Sequence, residues 1–128
     1  MTEDVQPREF LSAHVETALD VASKVFTWGD LSYGDCHQTN GRIVLSDDGT
    51  GTWNCTTWTD ETHSGDIWHC RFEFQDQFGN QIFGVRADSP EMDDGEGGPS
   101  PHYDWGIQFP TDPGEVSRVE RAVQFYSC

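Results

Sequence analysis

Residues 50–85 read TGTWNCTTWTDETHSGDIWHCRFEFQDQFGNQIFGV, and this stretch carries three of the five tryptophans of the 128-residue chain. On either side of a break at 60–65, apolar and polar residues alternate, and a period of two is typical of strands with one buried face. The stretch therefore predicts three consecutive antiparallel strands. The apolar positions that would share one face are Trp53, Cys55, Trp68, Cys70, Phe72 and Phe74. The polar positions on the other face are Asn54, Thr56, His69, Arg71, Glu73 and Gln75.

The first two of these strands are predicted to pair so that Cys55 lies opposite Cys70. Because a slip by one residue would turn the apolar set toward water, the pattern itself supports this register. The two cysteines would then be close enough for a cross-strand disulfide. Two free, buried thiols are an equal alternative, since unpaired cysteine packs as a small apolar side chain.

Turn residues divide the rest of the chain into further strands. An Asp-Gly step at 48–49 predicts a hairpin between strands at 41–46 and 50–57. Tyr103 begins another strand with an aromatic face. Before it, residues 88–102 contain three prolines and three glycines without periodicity, which predicts a long acidic loop of the kind that often serves as a lid.

The N-terminal region is predicted to differ from the rest. Residues 1–6 are polar and expected to be flexible. Residues 7–22 carry apolar residues at spacings of three and four and begin with proline, which predicts a helix. The helix would cap one end of the domain, or contact a second copy in a homodimer.

A single domain is expected from a chain of this length. Seven or eight strands in sequential hairpins over 24–128 fit an all-β sandwich or an antiparallel up-and-down barrel. We expect the barrel, of the lipocalin-like or calycin-like kind, because adjacent hairpins close most simply in that way.

The chain is strongly acidic, with 23 Asp and Glu against 7 Lys and Arg and a formal net charge of −16. This charge repels phosphate backbones and anionic lipid surfaces, so neither nucleic acid nor a membrane is expected as a partner. No stretch approaches the ~18 apolar residues of a membrane span, and no signal peptide is recognised. The expected location is cytoplasmic, or secreted if a leader has been removed.

Residues 26–36 read FTWGDLSYGDC, and Asn40-Gly41, Asp48-Gly49 and a terminal Cys128 follow. Together these residues resemble an uncharacterised family of small actinobacterial β proteins, over about 25–128. Its members are commonly secreted. The resemblance implies a disulfide between Cys36 and Cys128, and it implies no activity.

Motifs for metal, cofactor or nucleophile chemistry are weak or missing. There is no G-x-S-x-G, H-E-x-x-H, P-loop or dinucleotide fingerprint, which disfavours a hydrolase with a built nucleophile. The zinc candidates, Cys36 with His37 and His69 with Cys70, are strand neighbours that point to opposite faces. The spacing of the acidic loop residues does not fit an EF-hand. The calcium candidates there are Asp88, Glu91, Asp93, Asp94 and Glu96. We therefore predict no metal and no cofactor.

The aromatic interior is the remaining candidate site. A barrel of eight strands is either filled by side chains, the commoner case, or holds one small ligand. Indole and phenol groups would suit an apolar, polyketide-like molecule whose carbonyl they could hold. The ligand-binding candidates are Trp28, Trp53, Trp68, Phe72, Trp105 and Phe109.

If the barrel is an enzyme, we expect a cofactor-free cyclase or isomerase of bacterial natural-product biosynthesis. Such reactions are accelerated by holding a near-attack conformer beside one acid. The catalytic candidates at the end of the long loop are His102, Tyr103 and Asp104. Two other functions fit the sequence: an acidic module that binds or inhibits a basic protein, and a secreted structural domain stabilised by disulfides.

Overall fold

A computed structural model describes residues 6–10, 12–17, 22–61 and 65–128, with side chains from residue 23 onward. The described residues form an all-β, antiparallel fold, which confirms the predicted class. The strands are β1 Gln6–Phe10, β2 Ser12–Thr17, β3 Ala22–Trp28, β4 Leu31–Tyr33, β5 Cys36–Ser46, β6 Thr50–Thr59, β7 His69–Gln75, β8 Gln81–Asp88, β9 Tyr103–Pro110 and β10 Arg121–Ser127. A short helix, α1 Pro113–Val116, precedes the last strand.

The strands form two sheets. The four-stranded sheet has the order β1-β10-β7-β8, and the larger sheet has the order β2-β3-β5-β6-β9 with β4 also paired to β5. The predicted hairpins β5-β6 and β7-β8 are confirmed. The order differs from that of an up-and-down barrel, because β6 pairs with β9 and β7 pairs with β10.

The N-terminal helix predicted over 7–22 is wrong, because the described part of this segment consists of β1, β2 and the first residue of β3. In the sequence, Ala13 and Val15 alternate with His14 and Glu16, so a period of two was present beside the helical spacing. Pro7 is compatible with β1 because β1 lies at an edge of its sheet. Residues 1–5, which include most of the segment expected to be flexible, lie outside the described residues.

The predicted pairing of β6 with β7 is also wrong, since the two strands belong to different sheets. The predicted faces are nevertheless correct: Trp53, Cys55, Trp68, Cys70, Phe72 and Phe74 are all buried. Alternation shows which face of a strand is buried, whereas it does not identify the neighbouring strand. Between β6 and β7, Asp66 pairs with Met92.

The two sheets face each other across an aromatic core. Phe72 of β7 contacts Trp53 of β6 and Trp28 of β3, with ring centroids 4.6 and 5.4 Å apart. Phe74 similarly contacts Phe26 at 6.4 Å. Tilted and edge-to-face arrangements at these distances are favourable for aromatic rings. The five largest fully buried side chains among the described residues are rings, ahead of Ile43 and Leu45.

A buried amide pair and a disulfide also join the sheets. Gln38 of β5 and Gln124 of β10 are both fully buried, and their side-chain amides exchange two hydrogen bonds of 2.8 and 3.3 Å. A disulfide links Cys36 to Cys128 over a sequence separation of 92, as the family resemblance implied. The ends of β5 and β10 are thus covalently connected.

The helical part of the described chain is small. No helix among the described residues is long and apolar enough to span a membrane.

Candidate functional site

The ligand-binding candidates from the sequence lie in or against the core. Five of the six are buried: Trp28, Trp53, Trp68, Phe72 and Phe109. Trp105 is partly buried and packs against them. The rings contact one another where a lumen was expected; Trp53, for example, also meets Trp28 at 5.8 Å and Trp105 at 6.4 Å.

Three indole groups in this core are unusual in their hydrogen bonding. The Nε1 atoms of Trp28, Trp53 and Trp68 are buried and have no hydrogen-bond partner among the described residues. By contrast, Trp105 Nε1 donates to Thr57 Oγ1 at 2.9 Å. A buried donor without an acceptor costs on the order of 1–3 kcal/mol. The free energy gained by packing these large rings therefore outweighs the cost of their unpaired N–H groups.

Cys55 and Cys70 are free, buried thiols, which is the second of the two alternatives left open by the sequence. Burial raises the pKa of the Cys55 thiol far above its ordinary value, and the Asp104 carboxylate adds to this effect. Burial likewise raises the pKa of the Cys70 thiol, with smaller contributions from Cys55 and Asp88. A neutral thiol is a poor nucleophile, so both cysteines act as small apolar side chains that pack in the core.

His102 and Asp104 lie on the opposite side of the large sheet from the buried rings, whereas Tyr103 lies on the inner face, opposite Thr57, and packs against the core. Asp104 is exposed and accepts a 2.5 Å hydrogen bond from Thr56 Oγ1 on β6. His102 stacks on Trp58 with ring centroids 4.1 Å apart. Tyr103 is half-buried, and its hydroxyl accepts a hydrogen bond from the Asp93 backbone N–H at 3.1 Å. The structure therefore separates His102 and Asp104, but not Tyr103, from most of the predicted ligand-binding residues.

A concavity of about 340 Å³ opens on this outer side of the large sheet. We call it the outer-face pocket, and its lining residues are Asn40, Asn54, Cys55, Thr56, Asp104, Trp105 and Gly106. The amides of Asn40 and Asn54 make no hydrogen bond within the described part of the chain, and both side chains are exposed. The pocket thus combines two unpaired amides with a carboxylate, whereas the Trp105 indole is turned to the inner face, where it meets Trp53 and Thr57.

An irregularity in β5 places Asn40 beside the pocket. The register of β5 with β6 shifts between Thr39 and Arg42, and Asn40 there has a φ of 57°. Asparagine tolerates this left-handed conformation better than most residues. Gly41 must be small, because a Cβ at this position would lie 2.9 Å from the Trp53 ring. The Asn40-Gly41 pair seen in the sequence therefore forms a β-bulge, a feature that often redirects a side chain next to a functional site.

Beside the pocket, Trp58 stacks with two histidines. His37 lies opposite Trp58 on β5, with ring centroids 5.1 Å apart, and His102 stacks on Trp58 as well. His37 is also hydrogen-bonded at both nitrogens: Ser32 Oγ is 2.8 Å from Nδ1, and Asp60 Oδ2 is 2.6 Å from Nε2. These contacts of His37 and Trp58 were not predicted from the sequence.

The long loop is held at its start rather than free along its length. The Ser89 backbone N–H donates to the Trp68 carbonyl at 2.9 Å, and Met92 is fully buried. Residues 94–102, which end at His102, contain no buried residue.

Most of the chain matches the model of one protein family. Residues 42–128 match DUF6294, a family of unknown function. The chain belongs to this family. The comparisons with curated proteins and with solved structures found no match. DUF6294 membership agrees with the predicted resemblance to an uncharacterised family, whereas the actinobacterial origin stays a prediction. The match begins at residue 42, after the FTWGDLSYGDC motif.

The weak metal candidates do not gather in this DUF6294 chain. Within the described residues, the one group of three ligand atoms close enough for an ion is Cys36, Asp66 and Cys128. The two sulfurs of this group are joined in the disulfide and are not free thiolates. Cys70, from the zinc candidates, instead donates to the Ala87 carbonyl at 3.3 Å.

A signal for the missed His37 contacts was present in the sequence. Gly34 has a φ of 61° and forms a tight turn with Asp35, so that β4 folds back on β5 and Ser32 lies opposite His37. A Gly-Asp step between two short strands is a hairpin signal. Had the SYGDCH segment been interpreted as a hairpin, Ser32 and His37 would have been predicted as neighbours.

Proposed function

We propose that this protein binds a small polar ligand, one that presents several hydrogen-bond donors, in the outer-face pocket. The observation that carries the proposal is the convergence of the unpaired Asn40 and Asn54 amides with the Asp104 carboxylate around one concavity. Ligand sites typically combine apolar surface with a few placed polar groups. Here the placed polar groups are the side chains of Asn40, Asn54 and Asp104.

The charge of the site favours particular ligands. Asp104 can accept hydrogen bonds from hydroxyl or ammonium groups, and the amides of Asn40 and Asn54 can both donate and accept. The net charge of −16 disfavours anionic ligands. The shared chemistry is therefore that of a neutral polyhydroxylated molecule or a small polyamine.

This proposal keeps small-molecule binding, as the sequence suggested, and moves it from the interior to the outside of the sheet. An apolar ligand inside the core stays a prediction, for which the three unpaired indole N–H groups would be the donors. The mutual contacts of the core rings make the outer-face pocket the better-supported site. Cyclase or isomerase chemistry likewise stays a prediction.

The test is binding measured by ligand-observed NMR and calorimetry with two probe sets. One set contains neutral mono- and disaccharides, and the other contains spermidine. We expect binding of one set, and at least about a tenfold loss on Asp104→Asn or Asn40→Ala, because removing a partner of a bound polar group leaves it unpaired. The control is Asp93→Asn, which removes the same charge from an exposed loop position outside the pocket lining.

Gly106 offers a second way to block the pocket. A Cβ at Gly106 would collide with the Trp53 carbonyl oxygen and with the Asn54 side chain, so Gly106→Ala would displace Asn54. Binding that survives both Asp104→Asn and Gly106→Ala would place the ligand elsewhere. The proposal fails if neither probe set binds.

A further inference from the structure

Ser32, His37 and Asp60 form a continuous hydrogen-bonded chain on the outer side of the large sheet. Ser32 Oγ lies 2.8 Å from His37 Nδ1, and His37 Nε2 lies 2.6 Å from Asp60 Oδ2. A neutral imidazole with its proton on Nε2 satisfies both contacts, because Nε2–H donates to the carboxylate and Nδ1 accepts from the serine hydroxyl. The tautomer that the carboxylate selects is the one in which Nδ1 can take a proton from Ser32.

Several contacts fix the imidazole in this position. His37 lies between its cross-strand neighbours, Ser32 on β4 and Trp58 on β6. Trp58 stacks on the imidazole with an interplanar angle of 25°. The Asp60 backbone N–H donates to the Asp35 carbonyl at 2.9 Å, which connects the carboxylate to the β4-β5 turn. The disulfide at Cys36 holds the residue before His37.

The exposure of the three groups suits a reaction with an external molecule. Ser32 is exposed, and the side chains of His37 and Asp60 keep 25% and 58% of their accessible surface. Among the described strands β4 pairs only with β5, so its other edge is not covered by a described strand. A serine beside a base that a third group orients is the arrangement of an activated nucleophile.

We propose that Ser32 is the nucleophile of an acyl-transfer site, with His37 as general base and Asp60 as the group that orients and stabilises the imidazole. Ser32 Oγ bonds to the carbonyl carbon of an ester while its proton passes to His37 Nδ1. The alcohol then leaves with that proton. A water molecule attacks the acyl-serine, gives its proton to His37, and releases the acid with Ser32 restored. The net reaction is hydrolysis of one ester to one acid and one alcohol.

The surroundings define the substrate class. Exposed carboxylates at Asp30, Asp35 and Asp60 lie on or next to the β4-β5 hairpin, so a neutral ester is favoured over an anionic one. The site is open, which suits short acyl groups rather than long chains that need a cleft.

This inference goes beyond ligand binding and rests on different residues. The lining of the outer-face pocket does not include Ser32, His37 or Asp60. The failure of one proposal therefore leaves the other standing.

The test uses a fluorophosphonate, a reagent that labels activated serines, and p-nitrophenyl acetate as a neutral ester. We expect one adduct per chain, located at Ser32 by peptide mass analysis, and ester hydrolysis above the uncatalysed rate. Ser32→Ala should abolish both. His37→Gln should slow labelling by about a hundredfold, since general-base catalysis contributes ~10²–10⁴. Asp60→Asn should slow it by at least about tenfold, because it removes the preference for the productive tautomer.

Ser117→Ala is the matched control, because Ser117 is also exposed and its hydroxyl bonds only to the Gly114 carbonyl, at 2.7 Å, within the described chain. Its labelling and hydrolysis rates should equal those of the wild type. A disulfide assay and a urea transition for each variant show that the fold is retained.

Three results would overturn the inference. The first is no adduct at Ser32, and the second is labelling of Ser32 and Ser117 at equal rates. The third is ester hydrolysis that persists in Ser32→Ala and disappears in His37→Gln, which would assign the reaction to the imidazole alone.

Discussion

Breaking the Cys36–Cys128 disulfide should be among the most damaging single changes to stability. The link has a sequence separation of 92, and the entropy that such a loop removes from the unfolded chain corresponds to about 4.6 kcal/mol. Measured disulfides commonly contribute about 2–5 kcal/mol. For a chain of 128 residues, with an unfolding entropy of ~2.1 cal/mol/K per residue, a loss of about 2–4.6 kcal/mol lowers Tm by about 7–17 °C.

The assay is urea and thermal unfolding of the double variant Cys36→Ala/Cys128→Ala. Its matched control is Cys55→Ala/Cys70→Ala, which also removes two sulfurs but breaks no cross-link, since both thiols are free and buried. The control isolates the cost of lost packing from the cost of the lost loop. We expect the first variant to lose clearly more free energy of unfolding than the second. Equal losses, or a loss below about 1 kcal/mol in the first, would refute the reasoning.

Three further predictions concern the core. Trp53→Ala should cost about 3–5 kcal/mol of unfolding free energy in urea titrations, because Trp53 is fully buried. Trp58→Ala, on the outer face, should cost less. A larger loss at Trp58 would contradict the assigned faces. Gln38→Leu alone should cost about 1–3 kcal/mol of unfolding free energy, because it leaves the buried Gln124 amide without a partner. The double variant Gln38→Leu/Gln124→Leu should recover much of that loss. Additive losses in the double variant would argue against the pair. Ellman's reagent at pH 8 should react with no thiol in the native protein and with two after unfolding in urea without reductant. Because the pKa values of Cys55 and Cys70 are raised in the folded state, their contribution to stability is complete below the unfolded thiol pKa of ~8.5 and falls as the pH rises above it.

Local patterns in the sequence predicted the faces of strands better than their partners. Trp53, Phe72 and Phe74 are buried as their alternation indicated. The turn at 48–49 also formed as predicted, because Gly49 supplies the positive φ value that it requires. These features depend on residues close together in the chain.

Long-range pairing could not be obtained in the same way. Besides β5, the strand that pairs with β6 is β9, which lies more than forty residues further along the chain, with Trp53 opposite Ile107. Nothing in the alternation of β6 distinguishes β9 from β7, because each offers an apolar face with the same period. The Cys36–Cys128 link was predicted through a family resemblance, and spacing alone did not imply it.

In the candidate site, too, the residues close together in the chain were predicted and the contacts between distant strands were not. His102 and Asp104 were selected because they lie at the end of a long loop, and the structure places both on the outer side of the sheet. The pocket itself depends on Asn40 from β5 and Asn54 from β6, whose proximity to Asp104 arises only from the order β5-β6-β9. A site assembled from three strands requires the strand order before it can be recognised.

The Gln38–Gln124 amide pair has a consequence for how the two layers are aligned. Aromatic surfaces tolerate small translations, because rings can exchange one tilted contact for another at similar energy. The paired amides do not tolerate them, since a shift of one residue along either strand would leave two buried amides without partners. In coiled coils a single buried asparagine fixes the alignment of helices in the same manner. Together with the Cys36–Cys128 disulfide, which joins the ends of the same two strands, the amide pair thus fixes how the two aromatic faces are offset.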